Sequence, residues 1–224
     1  MKIRAIVTGV TGMVGEGVLH ECLEHEAVEK VLVLGRRPCG VTHPKLKEIV
    51  HGNFYDLSSI EKQLDGFNAC YFCLGASSVG MDREEYRRMT YDLTMHVAQT
   101  LVNHNPDMTF CYVSGAGTDS TEKGRIAWAR VKGKLENDLM KLPFRQVFAF
   151  RPALMIPTKG LKRTHGYYKV MAPLFPLFRK LFPQYISTLN DVGLAMINAA
   201  IRGYGKRVLE VKDINALAKL DVNQ

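Results

Sequence analysis

Short apolar runs alternate with amphipathic stretches along most of this chain. Nearly all-apolar runs are typical of parallel strands covered on both faces, and apolar residues recurring every three to four positions are typical of helices. The predicted strands are 3–7, 30–34, 46–51, 69–74, 109–113, 145–150 and 207–211. A helix is predicted directly after the first strand, and others cover 82–103, 125–140 and 191–201, the last capped by Asn190 or Asp191. This alternation predicts an α/β fold with a doubly wound parallel sheet, because parallel neighbours require crossover helices.

A glycine-rich turn joins the first predicted strand to the first helix. It contains Gly9, Thr11, Gly12, Met13, Val14 and Gly15. Strand, glycine turn and helix form the Rossmann-type arrangement in which a pyrophosphate contacts exposed N–H groups at a helix N-terminus. We expect Gly9 to allow the tight turn, Gly12 to keep side chains away from the phosphates, and Gly15 to let the helix pack closely on the strand. The pattern predicts a dinucleotide site, and a plain glycine-rich loop is the alternative.

Two adjacent cations, Arg36 and Arg37, follow the second predicted strand. Proteins that prefer NAD usually place a carboxylate there, which binds the ribose 2′-hydroxyl. Two guanidinium groups with no nearby acid suit a 2′-phosphate instead, so we predict NADP(H) as the cofactor, with NADPH preferred over NADH. The alternative is a solvated basic turn.

The chain changes character after Arg151, where prolines and aromatic residues accumulate. Ligands of such folds lie beyond the carboxyl ends of the strands, so we predict that 152–190 forms a small irregular lid on the substrate side of one domain, 1–224. Within it, the apolar stretch 171–182 also resembles a membrane-surface helix, but its two internal prolines favour a packed lid or a contact in a homo-oligomer.

Composition narrows the function. The chain has 224 residues and a net charge of +8, with 30 basic and 22 acidic side chains. Its basic residues are scattered and no nucleic-acid-binding motif is present, so we expect an anionic small ligand rather than nucleic acid. An odd number of cysteines, mostly in apolar elements, predicts reduced thiols and a cytoplasmic protein. No apolar stretch is long enough to span a bilayer.

The cysteine and histidine residues do not suggest a metal. Cys70 and Cys73 lie in an apolar strand without a second cysteine pair, and the seven histidines show no ligand spacing. We therefore interpret the two cysteines as core residues and predict no metal site.

Several motifs together resemble the atypical, epimerase-like branch of the short-chain dehydrogenase/reductase family. They are Thr-Gly-Val-Thr-Gly-Met-Val-Gly at 8–15, Cys-Leu-Gly-Ala at 73–76, Val-Ser-Gly at 113–115, Lys132, and Phe-Arg-Pro-Ala at 150–153. The likeness covers about 2–156 and is closest to small oxidoreductases of the Tat-interacting-protein type. It implies an NAD(P)-binding Rossmann fold.

The resemblance also implies cofactor contacts. Asp56 and Leu57 match the loop that lies against the adenine, although Asp56 is equally typical of a turn. The segment beside the cofactor's ribose is matched by Leu74, Gly75 and Ala76, and Pro152 of the last motif is assigned to the cofactor side as well.

The family's catalytic residues are a Ser after the fifth strand and a Tyr four residues before a Lys. Ser114 and Lys132 match this pattern, but Trp128 occupies the Tyr position. An indole N–H donates a hydrogen bond but has no accessible proton-transfer pKa. Two hypotheses follow. The first is an oxidoreductase acting on a small carbonyl or hydroxyl compound with a substitute proton donor, such as Tyr167, Tyr168 or water. The second is a non-catalytic NADP(H)-binding regulatory or interaction protein.

Overall fold

The computed structural model describes residues 2–158, 160–163 and 183–220. Nine strands are present in this part of the chain. They are β1 Ile3–Thr8, β2 Val28–Gly35, β3 Leu46–Val50, β4 Ala69–Phe72, β5 Thr109–Val113, β6 Gln146–Arg151, β7 Leu154–Ile156, β8 Ile186–Thr188 and β9 Val208–Glu210.

Seven of these strands form one sheet in the order β3-β2-β1-β4-β5-β6-β9, and every neighbouring pair is parallel. The doubly wound parallel sheet predicted from the sequence is therefore confirmed. Chain order reverses between β1 and β4, because the chain moves outward to β3 and then returns to the other side of β1. Ligands of such sheets bind at this switch point, beyond the carboxyl ends of the strands.

Helices cover both faces of the sheet. They are α1 Met13–Glu24, α2 Arg83–Arg87, α3 Leu93–His104, α4 Ala127–Leu139, α5 Leu189–Arg202 and α6 Val211–Ala218. One apolar cluster packs α1, α5 and α6 against the sheet, and a second packs α3 and α4 against the opposite face. None of the helices in the described residues is both long and apolar enough to cross a bilayer.

The helix predicted over 82–103 is interrupted. A π-helical turn, Arg88–Asp92, separates α2 from α3, and the hydroxyl of Thr94 donates to the carbonyl of Thr90 at 2.6 Å. Side-chain periodicity does not reveal a π turn, because the apolar residues on both sides of it still face the sheet. The predicted start is confirmed, since the Asp82 side chain accepts from the backbone N–H of Glu84 at 2.9 Å.

The predicted cap of the helix at 191–201 was wrong. The helix begins earlier, and Thr188 is the N-cap, with its hydroxyl accepting from the backbone N–H of Asp191 at 2.9 Å. The Asp191 carboxylate accepts in return from the N–H of Thr188 at 2.8 Å. Asn190 contacts the neighbouring helix instead, donating to Glu21 at 2.7 Å.

The ends of the predicted lid are more regular than expected. β7 and β8 form a small parallel sheet, pairing Met155 with Ser187. Such short strands, far apart in the chain, leave no readable alternation. A second unpredicted element is α6, which follows β9 directly. The aromatic residues Tyr167 and Tyr168 and the stretch 171–182 lie outside the described residues.

Two glycines allow α1 and α5 to pack closely. A Cβ on Gly17 would lie 2.8 Å from Cβ of Leu189, and a Cβ on Gly193 would lie 2.5 Å from Cγ of Glu21. Glu21 is 7% exposed and is held by Asn190, so its side chain has little room to move away. This contact therefore requires glycine at 193.

We predict that Gly193→Ala lowers the free energy of unfolding by about 1–3 kcal/mol, because the added methyl overpacks the contact between α1 and α5. Gly205→Ala is the control, since a Cβ there meets no atom within 4 Å. It should change stability by less than about 0.5 kcal/mol. Urea denaturation of both variants measures the two changes in unfolding free energy. Equal denaturation midpoints would show that α1 and α5 accommodate the added methyl without loss of stability.

Candidate functional site

The glycine turn lies at the carboxyl end of β1, beside the switch point. Gly9 has φ +71°, and a Cβ there would lie 2.5 Å from the backbone carbon of Cys73. A Cβ on Gly15 would lie 2.3 Å from the carbonyl oxygen of Gly9. Gly9 therefore forms the tight turn expected of it, and Gly15 allows the close contact between helix and strand.

Gly12 differs from the other two glycines. It has φ −104° and ψ 165°, an extended conformation open to any residue, and its nearest contact for an added Cβ is the Gly9 carbonyl at 3.4 Å. It is exposed, and it precedes the first helical residue, Met13, whose N–H has no partner within the helix. With Thr11 and Val14 partly buried beside it, this turn fits a pyrophosphate, which needs backbone N–H groups and no intervening side chain.

The carboxyl end of β4 approaches the same turn. The backbone N–H of Leu74 donates to the Thr8 hydroxyl at 3.3 Å, which ties the two strand ends together. Gly75 is exposed with open space around it, and Ala76 is partly buried. The predicted ribose-side segment therefore lies directly beside the glycine turn.

Arg36 and Arg37 are both exposed directly after β2, the neighbour of β1. Within the part of the chain that the structure describes, neither guanidinium forms an ion pair. Both are therefore available to an anionic ligand at the switch point.

Asp56 and Leu57 lie in a tight turn whose role towards the adenine stays a prediction. The Asp56 carboxylate accepts from the hydroxyl of Ser58 at 2.6 Å and from its backbone N–H at 3.0 Å. These bonds lower the pKa of Asp56 and make it a turn-forming residue. Leu57 is 2% exposed and packs in the core, so its side chain does not reach the crevice.

Ser114, Lys132 and Trp128 lie together at the carboxyl end of β5. The Lys132 ammonium donates to the backbone carbonyl of Ser114 and stands 5.9 Å from the centroid of the Trp128 ring. Burial lowers the pKa of Lys132, and the carboxylate of Glu136, one helical turn away, opposes this. Ser114 is 3% exposed, and its hydroxyl donates to the carbonyl of Phe150 at 3.2 Å.

A buried ion pair, not predicted from the sequence, holds α4 against β6. Both nitrogens of the Arg151 guanidinium that face α4 donate to the carboxylate of Glu136, and the third contacts Glu210 at 3.2 Å. The carbonyl of Pro152, the next residue, accepts from the N–H of Ala116 at 2.9 Å and joins the end of β6 to the turn after β5. The sequence offered one signal: Glu136 follows Lys132 by four residues, so the two share a helix face.

A small cavity of about 260 Å³ adjoins the indole of Trp128. Its lining is mixed in polarity and consists of Ser78, Met81, Arg83, Tyr86, Ala127, Trp128 and Val131. Burial raises the pKa of Tyr86, and the nearby Thr90 side chain opposes this. The sequence indicated Tyr86 only as part of the apolar face of the helix predicted over 82–103, and it gave no signal for Met81. The two residues join the cavity through the packing of α2 and the residues before it on α4.

Cys70 and Cys73, the two cysteines interpreted as core residues, are buried and partly buried, respectively. Cys70 is fully buried in β4, and burial raises the pKa of the Cys73 thiol to about 12. No cluster of three or more histidine, cysteine or acidic residues suited to a metal occurs among the described residues.

Together, the sheet order, the glycine turn at the switch point and the Lys on the following helix define a Rossmann-type dinucleotide-binding protein. The sequence profile of the NAD-dependent epimerase/dehydratase family matches residues 5–121, just over half of the chain. The chain belongs to this family, which binds a nicotinamide dinucleotide, and the resemblance to atypical short-chain dehydrogenases/reductases is confirmed.

Individual relatives are distant. "Protein FMP52, mitochondrial" of Meyerozyma guilliermondii is 23% identical over 206 residues, covering 89% of this chain and 86% of that protein. "Leucinostatins biosynthesis cluster protein T" of Purpureocillium lilacinum is 28% identical, and the match covers 61% of this chain and 51% of that protein.

Among solved structures, ADP-L-glycero-D-manno-heptose-6-epimerase of Helicobacter pylori matches with TM-score 0.66 and 15% identity, covering 97% of this chain and 81% of that one. WbmF of Bordetella bronchiseptica in complex with NAD+ has TM-score 0.66 and 15% identity, with 97% and 76% covered. These structures show the fold.

The predicted cytoplasmic location is wrong. Several similar proteins, including FMP52 of Meyerozyma guilliermondii and of Candida glabrata, are named as mitochondrial. The prediction depended on reduced cysteines, and buried thiols report burial and redox conditions rather than a particular compartment.

We predict opposite effects for two glycine substitutions in the turn. Gly12→Val should fold normally, because Gly12 is extended and open, but should abolish detectable dinucleotide binding by blocking the phosphates. Gly15→Ala should lower the free energy of unfolding by about 1–3 kcal/mol, because its methyl meets the Gly9 carbonyl. Thermal unfolding and nucleotide titration separate the two. Normal binding by folded Gly12→Val would contradict the phosphate site.

Proposed function

We propose that this protein is an NADP(H)-dependent oxidoreductase of the atypical short-chain type, acting on a small carbonyl or hydroxyl compound. The observation that carries the proposal is the convergence of three features at one sheet edge. The glycine turn, the Arg36–Arg37 pair and the half-buried Lys132 all lie at carboxyl ends of strands around the switch point. Family membership supports the dinucleotide, and the residues below support the finer assignment.

The arginine pair favours NADPH over NADH. Arg36 and Arg37 are exposed at the end of β2 without ion-pair partners in the described part of the chain. Guanidinium groups bind phosphate through paired, charge-assisted hydrogen bonds, and the 2′-phosphate is the group that distinguishes NADP(H) from NAD(H).

Lys132 is the residue we assign to the reacting end of the cofactor. When bound, the nicotinamide supplies or accepts a hydride. Lys132 is held by the Ser114 carbonyl and keeps further N–H donors, so its ammonium would orient the nicotinamide ribose and stabilise negative charge on a substrate oxygen. The Ser114 hydroxyl, which donates to Phe150, would have to turn to reach a substrate.

The proton must come from a group other than residue 128. Trp128 has no usable proton-transfer pKa, and the raised pKa of the nearby Tyr86 phenol makes it a weak acid. Water is therefore the donor that we favour among the described surroundings. The cavity of about 260 Å³ beside Trp128, lined by both apolar and polar side chains, supports a small substrate.

A second candidate function is a non-catalytic NADP(H)-binding protein. Trp128 favours it, because the indole takes the place of the phenol that short-chain dehydrogenases use. Lys132, Arg36, Arg37 and the glycine turn serve cofactor binding in both cases. Turnover, not binding, distinguishes the two functions.

We predict that NADPH binds more tightly than NADH, by about tenfold or more, since each well-aligned charge-assisted bond contributes about 1.5–3 kcal/mol. Replacing Arg36 and Arg37 together with Ala should make the two affinities equal and leave NADH binding nearly unchanged. Titration calorimetry with both nucleotides is the measurement, and equal affinities in the wild type would rule out the NADPH preference.

We predict that Trp128→Tyr increases NADPH oxidation with small aldehydes and ketones by about 10²–10⁴-fold, the usual contribution of general acid catalysis. NADPH affinity should not rise. Adding Lys132→Ala should remove the gain, because the new phenol loses the cation that lowers its pKa.

Two other results of this experiment have definite meanings. Brisk turnover by the wild type, slowed by Trp128→Tyr, would contradict the non-catalytic alternative and show that another group moves the proton. A folded variant that binds NADPH and gains no activity on any carbonyl would count against a site that lacks only its phenol.

A further inference from the structure

Glu16 links the first turn of α1 to a distant part of the chain. Its two carboxylate oxygens accept hydrogen bonds from the backbone N–H groups of Lys162 at 2.9 Å and Arg163 at 2.7 Å. The backbone N–H of Glu16 donates in turn to the carbonyl of Gly12 at 3.0 Å. The backbone of residues 162 and 163 therefore lies within about the length of one glutamate side chain of the glycine turn at 9–15.

A second turn, at Gly160, brings this segment back to α1. We call residues 160–163 the strap. Gly160 has φ +91°, a left-handed conformation that favours glycine, and the N–H of Leu161 donates to the carbonyl of Thr158 at 3.5 Å. The chain that leaves β7 thus turns towards the N-terminus of α1, at the carboxyl edge of the sheet.

The strap adds positive charge at this edge. Lys162 and Arg163 are both exposed, and among the described residues neither side chain forms an ion pair. Glu16 contacts their backbone rather than their side chains, so it holds the strap and leaves both cationic groups available.

We propose that Glu16 is a positioning residue that holds the strap so that Lys162 and Arg163 contact the pyrophosphate of the bound dinucleotide. This inference rests on the proposed binding of the nucleotide at the glycine turn. The pyrophosphate is common to NADH and NADPH, unlike the 2′-phosphate. The strap therefore strengthens binding of both nucleotides, whereas Arg36 and Arg37 discriminate between them.

The sign of the effect at Glu16 distinguishes positioning from simple electrostatics. A carboxylate close to a phosphate repels it, so removing this charge should tighten nucleotide binding if charge were its only influence. Loss of the strap should weaken binding, because two cations then leave the phosphate.

The test is titration calorimetry of the full chain with NADPH and with NADH. Glu16→Ala should weaken both nucleotides by a similar factor, about tenfold, as should the double substitution Lys162→Ala with Arg163→Ala. The triple variant should be no weaker than either, because cations that are already displaced have nothing further to lose. Glu16→Gln, which keeps one acceptor and the side-chain volume, should be intermediate.

Matched charge removals elsewhere are the controls. Glu24→Ala changes an exposed carboxylate at the other end of α1, and Lys212→Ala with Lys219→Ala removes two exposed cations, one from α6 and one from its C-cap. These variants should keep nucleotide affinities within about twofold. In the wild type, affinity should fall as salt rises, and this dependence should be reduced in the strap variants but not in the controls.

Unchanged or tighter binding by Glu16→Ala, with wild-type thermal stability, would overturn the inference while leaving the proposed nucleotide site intact. Weakening of NADPH alone would also overturn it, since the strap would then contact the 2′-phosphate. Failure of the wild type to bind either nucleotide would instead contradict the proposed function, and the inference with it.

Discussion

The close contact between α1 and β1 determines where the other groups of the site stand. Because Gly15 carries no Cβ, the helix begins directly against the Gly9 carbonyl, and its unpaired N–H groups open into the crevice at the switch point. The same turn also determines the position of the end of β4, since Gly9 lies against the backbone of Cys73. Any residue larger than glycine at either position would move the helix and the phosphate site together.

A second constraint acts from the opposite face of the sheet. The buried pair of Arg151 and Glu136 fixes α4 against β6, and Gly133 lets the backbone of Asp119 lie directly on the helix. Buried ion pairs contribute little net stability, because desolvation offsets their attraction. Their effect here is orientation: α4 has one rotation that satisfies Arg151, and that rotation places Lys132 beside β5.

These two constraints separate cofactor binding from chemistry. The proposed cofactor site consists of the backbone of the glycine turn, the end of β4, and Arg36 and Arg37 at the end of β2. None of these depends on residue 128. In the proposed function the proton would come from another group, because the indole of Trp128 cannot supply an acid. One scaffold therefore accommodates both an oxidoreductase and a nucleotide-binding protein, and family membership alone selects neither.

The sequence by itself determined the main sheet, the glycine turn, and the placing of Ser114 and Lys132 after β5, because each depends on local periodicity or on residues a few positions apart. It misplaced the cap at Thr188 and did not reveal the π turn, the small sheet of β7 and β8, the Glu136–Arg151 pair or the link from Glu16 to the strap. Only the tertiary structure decided these. The cap and the π turn are local, but apolar periodicity continues through both and does not mark them. The other three join separate segments, 146 positions apart in the case of Glu16 and Lys162, and no local pattern records which distant backbone a side chain will meet once the sheet has formed.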